Sequence, residues 1–438
     1  MGPWLDSVTG WLTANPQWLG LAVFIVACVE CLAIAGIIVP GTVLLFAIAV
    51  MAGSGALSLG ETLLLGFLGG LLGDGVSYLL GRRFHQNIRR LPLLRSHPEW
   101  MNGAESYFHR YGIVSLLVGR FIGPLRPMLP MVAGMCDMPL PRFIGVSLLA
   151  GAGWAVAYLL PGWATGAALR LPLPEGFWPQ AAIVAAGLAA LLGLSINASL
   201  RRQPRATLLI GALSLVLLLA VFIGYPYMNA FDQGINALIQ EHRSSAVDMG
   251  AVLVTVIGNF RTQFFAATLI CVLLFVARQW RGMIFFGGVT LFTALINTAT
   301  KYFFARGRPD VLLEPLTTYS MPSGHSSGAF ACFVALAIMA GREQPQRMRV
   351  TWVLLGSLLA ITVAMSRVYL GVHWTTDIMA GALLAISVNA FALALSQRYM
   401  PMPALPQRVW WLILPAAAAL YGFFVLVHLS GELLRYTY

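Results

Sequence analysis

Charge is what this sequence lacks most. Only 10% of its 438 residues are Asp, Glu, Lys or Arg, against about 25% in a typical soluble domain. Hydrophobic residues make up 59% and mean hydropathy is +0.80. This excludes a monomer dissolved in water; most of the chain has to lie in a bilayer. Lysine is nearly absent, with Lys301 the only one among 27 basic side chains. Low-complexity tracts and internal repeats are missing too. The five cysteines, Cys28, Cys31, Cys136, Cys271 and Cys332, have no metal-type spacing with histidine and read as small core residues. Met1 to Asp6 carry no basic n-region, so targeting is expected to come from the first span.

What is present is arginine in short loops between apolar runs. The net charge of +11 is therefore read as topology setting and attraction to anionic head groups, with nucleic acid excluded as a partner. Spans are expected at roughly 18–38, 61–80, 143–161, 179–199, 206–225, 264–277, 283–302, 327–341, 350–365, 376–396 and 409–428. The apolar segment 112–135 is interrupted by Gly119, Arg120, Gly123, Pro124, Arg126, Pro127 and Pro130. It reads as re-entrant or broken helices, which survive only where protein or water surrounds the backbone. The arginine clusters are Arg82, Arg83, Arg89, Arg90 and Arg95; Arg201, Arg202 and Arg205; Arg278 and Arg281; Arg342, Arg347 and Arg349; and Arg398 with Arg408. Placing them in the cytoplasm puts 303–324 and 367–374 together on the periplasmic side. The length allows two domains, with a boundary expected in 171–205, where a Pro-rich patch, one span and an Arg turn follow each other.

Three C-terminal segments hold polar residues that apolar packing does not explain. They are Lys301-Tyr-Phe-Phe-Ala-Arg306-Gly-Arg308-Pro309, Pro322-Ser323-Gly324-His325, and Ser366-Arg367 followed by His373 and Asp377. Lys301, Arg308 and Arg367 supply cations suited to phosphate oxygens. Ser323 and the backbone N–H groups at Gly324 and His325, near a helix N-terminus, add neutral donors. His373 and Asp377, four apart, share a helix face, and the carboxylate can fix the imidazole tautomer. A histidine nucleophile with an orienting acid follows from that arrangement.

The three segments resemble the signature of the type 2 phosphatidic acid phosphatase superfamily, over roughly residues 206–396. The resemblance implies a two-step reaction without metal or other cofactor. His373 attacks phosphorus, Asp377 holds His373, and His325 protonates the leaving oxygen and then activates water. Lys301, Arg308, Ser323, Gly324 and Arg367 bind the phosphoryl oxygens. The same motifs occur in soluble vanadate-binding haloperoxidases, from which the membrane spans separate this chain.

In the N-terminal half, Glu30 lies inside an apolar run that ends at Pro40-Gly41, and an intramembrane carboxylate, being costly, is a functional candidate by default. Gly73-Asp74 with Tyr78 and Gly81-Arg82, and Gly119-Arg120-Phe121 with Pro124 and Arg126, complete the set. These residues resemble the DedA family over roughly residues 10–165. Many members carry an acid directly after the Pro-Gly; here the position is Thr42, and Asp74 is the candidate substitute. The resemblance implies a lipid transporter or scramblase with two re-entrant hairpins. In it Arg120 and Arg126 bind lipid phosphate and Glu30 couples to protons or gating. A buried structural ion pair between Glu30 and Arg120 or Arg126 is the competing reading.

The expectation is an all-α polytopic protein of the bacterial inner membrane. A DedA-like bundle (1–170), a connecting span and linker (171–205), a six-helix phosphatase bundle (206–398) and an additional transmembrane helix (399–438) follow in order. The expected function is hydrolysis of a periplasm-facing lipid phosphate, foremost undecaprenyl pyrophosphate, coupled to translocation of the product. The alternatives are a glycerolipid phosphatase acting on phosphatidic acid or phosphatidylglycerol phosphate, and a protein that is mainly a transporter or scramblase. Expected partners are the bilayer and the lipid phosphate; self-association is left open.

Overall fold

Backbone N–H and C=O groups find no water in hydrocarbon, so a chain this apolar has to pair them within helices. The computed structural model describes residues 10–12, 14–33, 35–38, 41–84, 87, 98–120, 126–200, 205–313 and 316–436, apart from a few side chains. Among these residues every regular element is helical. Among the described residues eight helices are long and apolar enough to cross a membrane, or nine spans if one bent pair is counted as a single crossing. The chain forms two compact units, Met1–Pro172 and Leu173–Tyr438. Arg89, Arg90, Arg95, Arg201 and Arg202, together with Pro40, Gly123 and Pro124, lie outside the described residues.

The first unit comprises α1 (Leu19–Cys31), α2 (Ala35–Ile38), α3 (Gly41–Met51), α4 (Leu59–Phe84), α5 (Pro98–Tyr111), α6 (Ile113–Gly119), α7 (Met128–Met135) and α8 (Leu140–Arg170). The expected span 18–38 is broken. Helix α1 stops at Cys31, and Leu32 is extended (φ −73°, ψ 133°). At 13 residues α1 reaches about 20 Å, short of a ~30 Å hydrocarbon core. The break is tolerated because Ser77 of α4 serves its loose backbone groups. Its Oγ accepts from the Ala33 N–H at 3.0 Å and lies 3.3 Å from the Cys31 carbonyl. The segment 112–135 holds the short helices α6 and α7 in place of a continuous span. The long helices α4 and α8 pack around these half-length pieces.

The second unit comprises α9 (Phe177–Leu200), α10 (Ala206–Gly224), α11 (Asn229–Glu241), α12 (Ser245–Gly258), α13 (Phe260–Val276), α14 (Trp280–Phe304), α15 (Gly324–Ala340), α16 (Gln346–Tyr369), α17 (Thr375–Tyr399) and α18 (Gln407–Arg435). Helices α12 and α13 meet at 49° around Asn259, whose side chain caps α13 through the Arg261 N–H at 3.2 Å. The expected span 264–277 is therefore the second limb of a bent pair whose first limb, α12, was not foreseen. Helix α15 is central and rich in Gly, Ala and Ser, and α14, α16 and α17 pack closely on it. Helix α9 packs on α10 and α11, where Gln180 bonds the Tyr227 carbonyl and the Phe231 N–H. Helix α18 packs along α12 and α13.

Candidate active site

The three C-terminal motifs fall at helix ends on one side of the second unit. Lys301 is in the last turn of α14, which ends at left-handed Ala305 (φ 46°). Ser323 caps α15, and Arg367 is in the last turn of α16. His373 is in the loop before α17, and Asp377 is in the first turn of α17. Cross-links hold the loops together. Trp374 Nε1 donates to the Gly307 carbonyl at 3.1 Å, Arg308 to the Val372 carbonyl at 2.6 Å, and the Ser323 N–H to the Asp377 carbonyl at 3.0 Å.

His373 is 2% exposed. Its Nδ1 faces Asp377 Oδ2 at 3.4 Å, long for a hydrogen bond, and its Nε2 faces Arg308 Nη1 at 3.1 Å. Burial, then the charges of Arg308, Arg367 and Lys301, hold the imidazole well below the ordinary value of 6.5. Neutral at physiological pH, it keeps a lone pair on Nε2, directed at the cations. Arg308 is itself pushed down to about 10 by burial and by Arg367, so it stays charged.

Asp377 does more than face His373. Its Oδ2 accepts the Trp374 N–H at 2.9 Å, fixing the start of α17. Its Oδ1 accepts from Arg306 Nη1 at 2.8 Å. Arg306 Nη2 donates to Asp232 Oδ2 at 2.8 Å, and Asp232 also accepts the N–H and hydroxyl of Thr376. Tyr225 and Trp374 present rings to the guanidinium at 4.9 and 5.6 Å. Arg306 thus bridges two buried carboxylates, and Asp377 is held from both sides.

Around the cations, Lys301 Nζ donates to the Tyr319 carbonyl at 2.7 Å, and Arg308 bonds the Thr318 carbonyl and hydroxyl at 2.7 and 2.9 Å. Ser323 is fully buried and its hydroxyl accepts the Ser326 N–H. His325 Nε2 and Arg367 Nε are buried and have no hydrogen-bond partner among the described residues. Gly258, at the α12–α13 bend, makes room for His325: a Cβ there would stand 3.1 Å from His325 Cδ2 and 2.3 Å from Val363 Cγ1. Beside Gly324 and Asn297, an apolar cavity of about 630 Å³ runs between α13 and α14, past Phe264, Leu291 and Leu295 to Phe275. Among the described residues no three His, Cys, Asp or Glu side chains form a metal-type group.

The first unit holds a separate charged cluster. Arg126 pairs with Glu30, and Arg120 with Asp74, all four at least nine-tenths buried. Thr42 donates its hydroxyl to Glu30 Oε1 at 2.6 Å, so the position lacking an acid still engages the one that remains. Gly41 permits this: a Cβ would stand 2.8 Å from Glu30 Cγ. Trp154 lies under both guanidiniums, at 5.1 and 5.8 Å. Ser147, Leu129 and Ala150 help line a small cavity beside Asp74, Arg120 and Arg126.

Sequence reasoning left Arg306 without a role and passed over Asp232, Thr255 and Tyr436. Arg306 stands inside the first motif, where a second arginine two residues before Arg308 was a usable signal. Asp232 shows only as an acid in a half-polar helix, and nothing in sequence points to Thr255 or Tyr436.

Comparison with known proteins agrees with this division. The VTT domain family matches residues 39–164 and the PAP2 superfamily matches residues 282–401. Inner membrane protein YabI of Escherichia coli (strain K12) is 39% identical over 161 residues, which are 37% of this chain and 63% of that protein. Inner membrane protein YqjA of the same strain is 30% identical over 158 residues, 35% of this chain and 71% of its own length. The chain thus spans less than two thirds of YabI. A crystal structure of a transmembrane PAP2 type phosphatidylglycerolphosphate phosphatase from Bacillus subtilis aligns with a TM-score of 0.39 at 22% identity, over 43% of this chain and 98% of that one. The chain is a multi-pass membrane protein that belongs to the VTT-domain (DedA) family through its N-terminal half and carries a PAP2 superfamily domain in its C-terminal half.

Proposed function

We propose that the protein is a metal-independent membrane lipid phosphatase acting through a phosphohistidine. The observation that carries this reading is the His373 ring, with Nδ1 toward Asp377 and Nε2 among Arg308, Lys301 and Arg367. His373 Nε2 forms a bond to phosphorus as the bond from phosphorus to the leaving oxygen breaks, and His325 gives that oxygen its proton. His325 then takes a proton from water, whose oxygen displaces the histidine and frees inorganic phosphate. Lys301, Arg308, Arg367, Ser323 and the Gly324 N–H stabilise the charge on the equatorial oxygens, at about 3–4 kcal/mol for a well-placed donor. The apolar cavity beside Gly324 suits the tail of the lipid.

The preferred substrate is undecaprenyl pyrophosphate presented on the periplasmic face, and the product is undecaprenyl phosphate. The VTT unit would move that product to the other leaflet, with Arg120 and Arg126 exchanging a carboxylate for the lipid phosphate and Glu30 and Asp74 left to take protons. Joining both activities on one chain raises the product's local concentration at its carrier. The test is phosphate release by the purified chain in detergent from undecaprenyl pyrophosphate, phosphatidic acid and phosphatidylglycerol phosphate, with and without chelator. Release from the pyrophosphate, unaffected by chelator, is expected. Cleavage of phosphatidic acid alone would refute the substrate, and loss of activity with chelator would refute the mechanism. For the VTT unit, Glu30→Gln and Arg126→Ala should slow lipid movement in liposomes; unchanged movement in both removes the carrier reading.

A further inference from the structure

Helix α18 lies outside residues 282–401, yet its end reaches the phosphate site. Tyr436, directly after α18, is 4% exposed. Its hydroxyl accepts from Arg367 Nη1 at 2.7 Å, and its ring lies 5.3 Å from the guanidinium carbon. Thr255 Oγ1, from α12, accepts from the same nitrogen at 2.8 Å. An Arg Nη nitrogen carries two hydrogens, and both are used here. What is left is the Nε–Nη2 edge, the side that meets a phosphate with two parallel hydrogen bonds. Arg367 Nε, on that edge, is buried and without a hydrogen-bond partner among the described residues.

We propose that Tyr436 is a positioning residue of the phosphatase: with Thr255 it fixes the rotation of Arg367 so that the Nε–Nη2 edge is presented to the phosphoryl group. The inference rests on the phosphatase reading of Arg367. Anchoring of the end of α18 alone does not call for this hydroxyl. Arg243 already donates to the Tyr436 carbonyl at 3.0 Å, and Leu429 and Leu433 pack with Val252, Leu312 and Leu370. Glu432 also accepts from Asn259 Nδ2 at 3.4 Å, which sets α18 against the α12–α13 bend. A guanidinium free to turn would present its edge to phosphate only part of the time, weakening both ground-state and transition-state contacts.

The experiment compares the full-length wild type with Tyr436→Phe and Thr255→Val. It reads phosphate release, inhibition by orthovanadate as a phosphate mimic, and thermal melting. Tyr436→Phe should melt like wild type, weaken vanadate inhibition on the order of tenfold and lower kcat/KM by a similar factor. Thr255→Val should do the same from the other side of Nη1, which keeps the test decisive if the Tyr436 variant folds poorly. Wild-type vanadate inhibition and kcat/KM in both variants would overturn the inference while leaving the phosphatase reading intact. So would a loss of folded protein with an unchanged vanadate constant in the folded fraction. A wild type that neither releases phosphate from any lipid nor responds to vanadate would overturn both.

Discussion

His373 has its two ring nitrogens between opposite charges, Asp377 on one side and Arg308 on the other. Its pKa lies below the ordinary 6.5 through burial and the nearby cations. In the unfolded chain His373 takes up a proton near pH 6.5 that the folded protein refuses, so folding is favoured above that pH. Stability then falls as pH drops below it. Melting measured from pH 8 to pH 5 should therefore decline more steeply in wild type than in His373→Asn; parallel curves would contradict a neutral buried imidazole. Arg306 gives a second prediction. Replacing it with Ala leaves Asp232 and Asp377, 1% and 0% exposed, without their cation. A loss of about 3–5 kcal/mol is expected in denaturant unfolding. Arg306→Lys keeps the charge but not the fork joining both acids, so it should fold better than Arg306→Ala while still losing kcat.

At the scale of elements, the strongest sequence signals and the strongest misreadings have the same origin. The phosphatase motifs were legible because Lys301, His325, Arg367 and Asp377 are ionisable residues standing in or beside apolar runs. The break after Cys31 was illegible because Leu32 and Ala33 continue the apolar run, and its stabiliser, Ser77, comes from another helix. Helix α12 was missed because Ser244, Ser245 and Asp248 dilute its apolar signal at the start. The interruption at 112–135 was readable because glycine, proline and arginine mark it in the sequence. Element geometry also yields a test. Gly258→Ala, at the α12–α13 bend, forces Val363 and His325 to shift. In the proposed mechanism His325 moves the proton to the leaving group and from water, so kcat should fall more than KM rises. Unchanged kinetics in steady-state assays would show that the close approach of Gly258 to His325 has no bearing on the chemistry.

For the whole molecule, composition alone fixed the bilayer, and two unrelated motif sets divided the chain between a VTT and a PAP2 domain. The Glu30–Arg126 pair is one of the two pairings the sequence allowed for Glu30, whereas the Asp74–Arg120 pair was not anticipated, its members lying 46 residues apart. The pairing leaves the first unit's cluster charge-balanced, whereas the second unit gathers Lys301, Arg308 and Arg367 around two buried histidines, His373 and His325. That contrast supports the proposal that covalent chemistry belongs to the second unit. The most direct measurement is rapid acid-free quenching of the purified chain with lipid pyrophosphate labelled on its terminal phosphate, followed by peptide mapping of the protein-bound label. The account predicts an acid-labile, base-stable label on His373 that disappears in His373→Asn. Phosphate release with no label on His373, or with the label kept in His373→Asn, would contradict it.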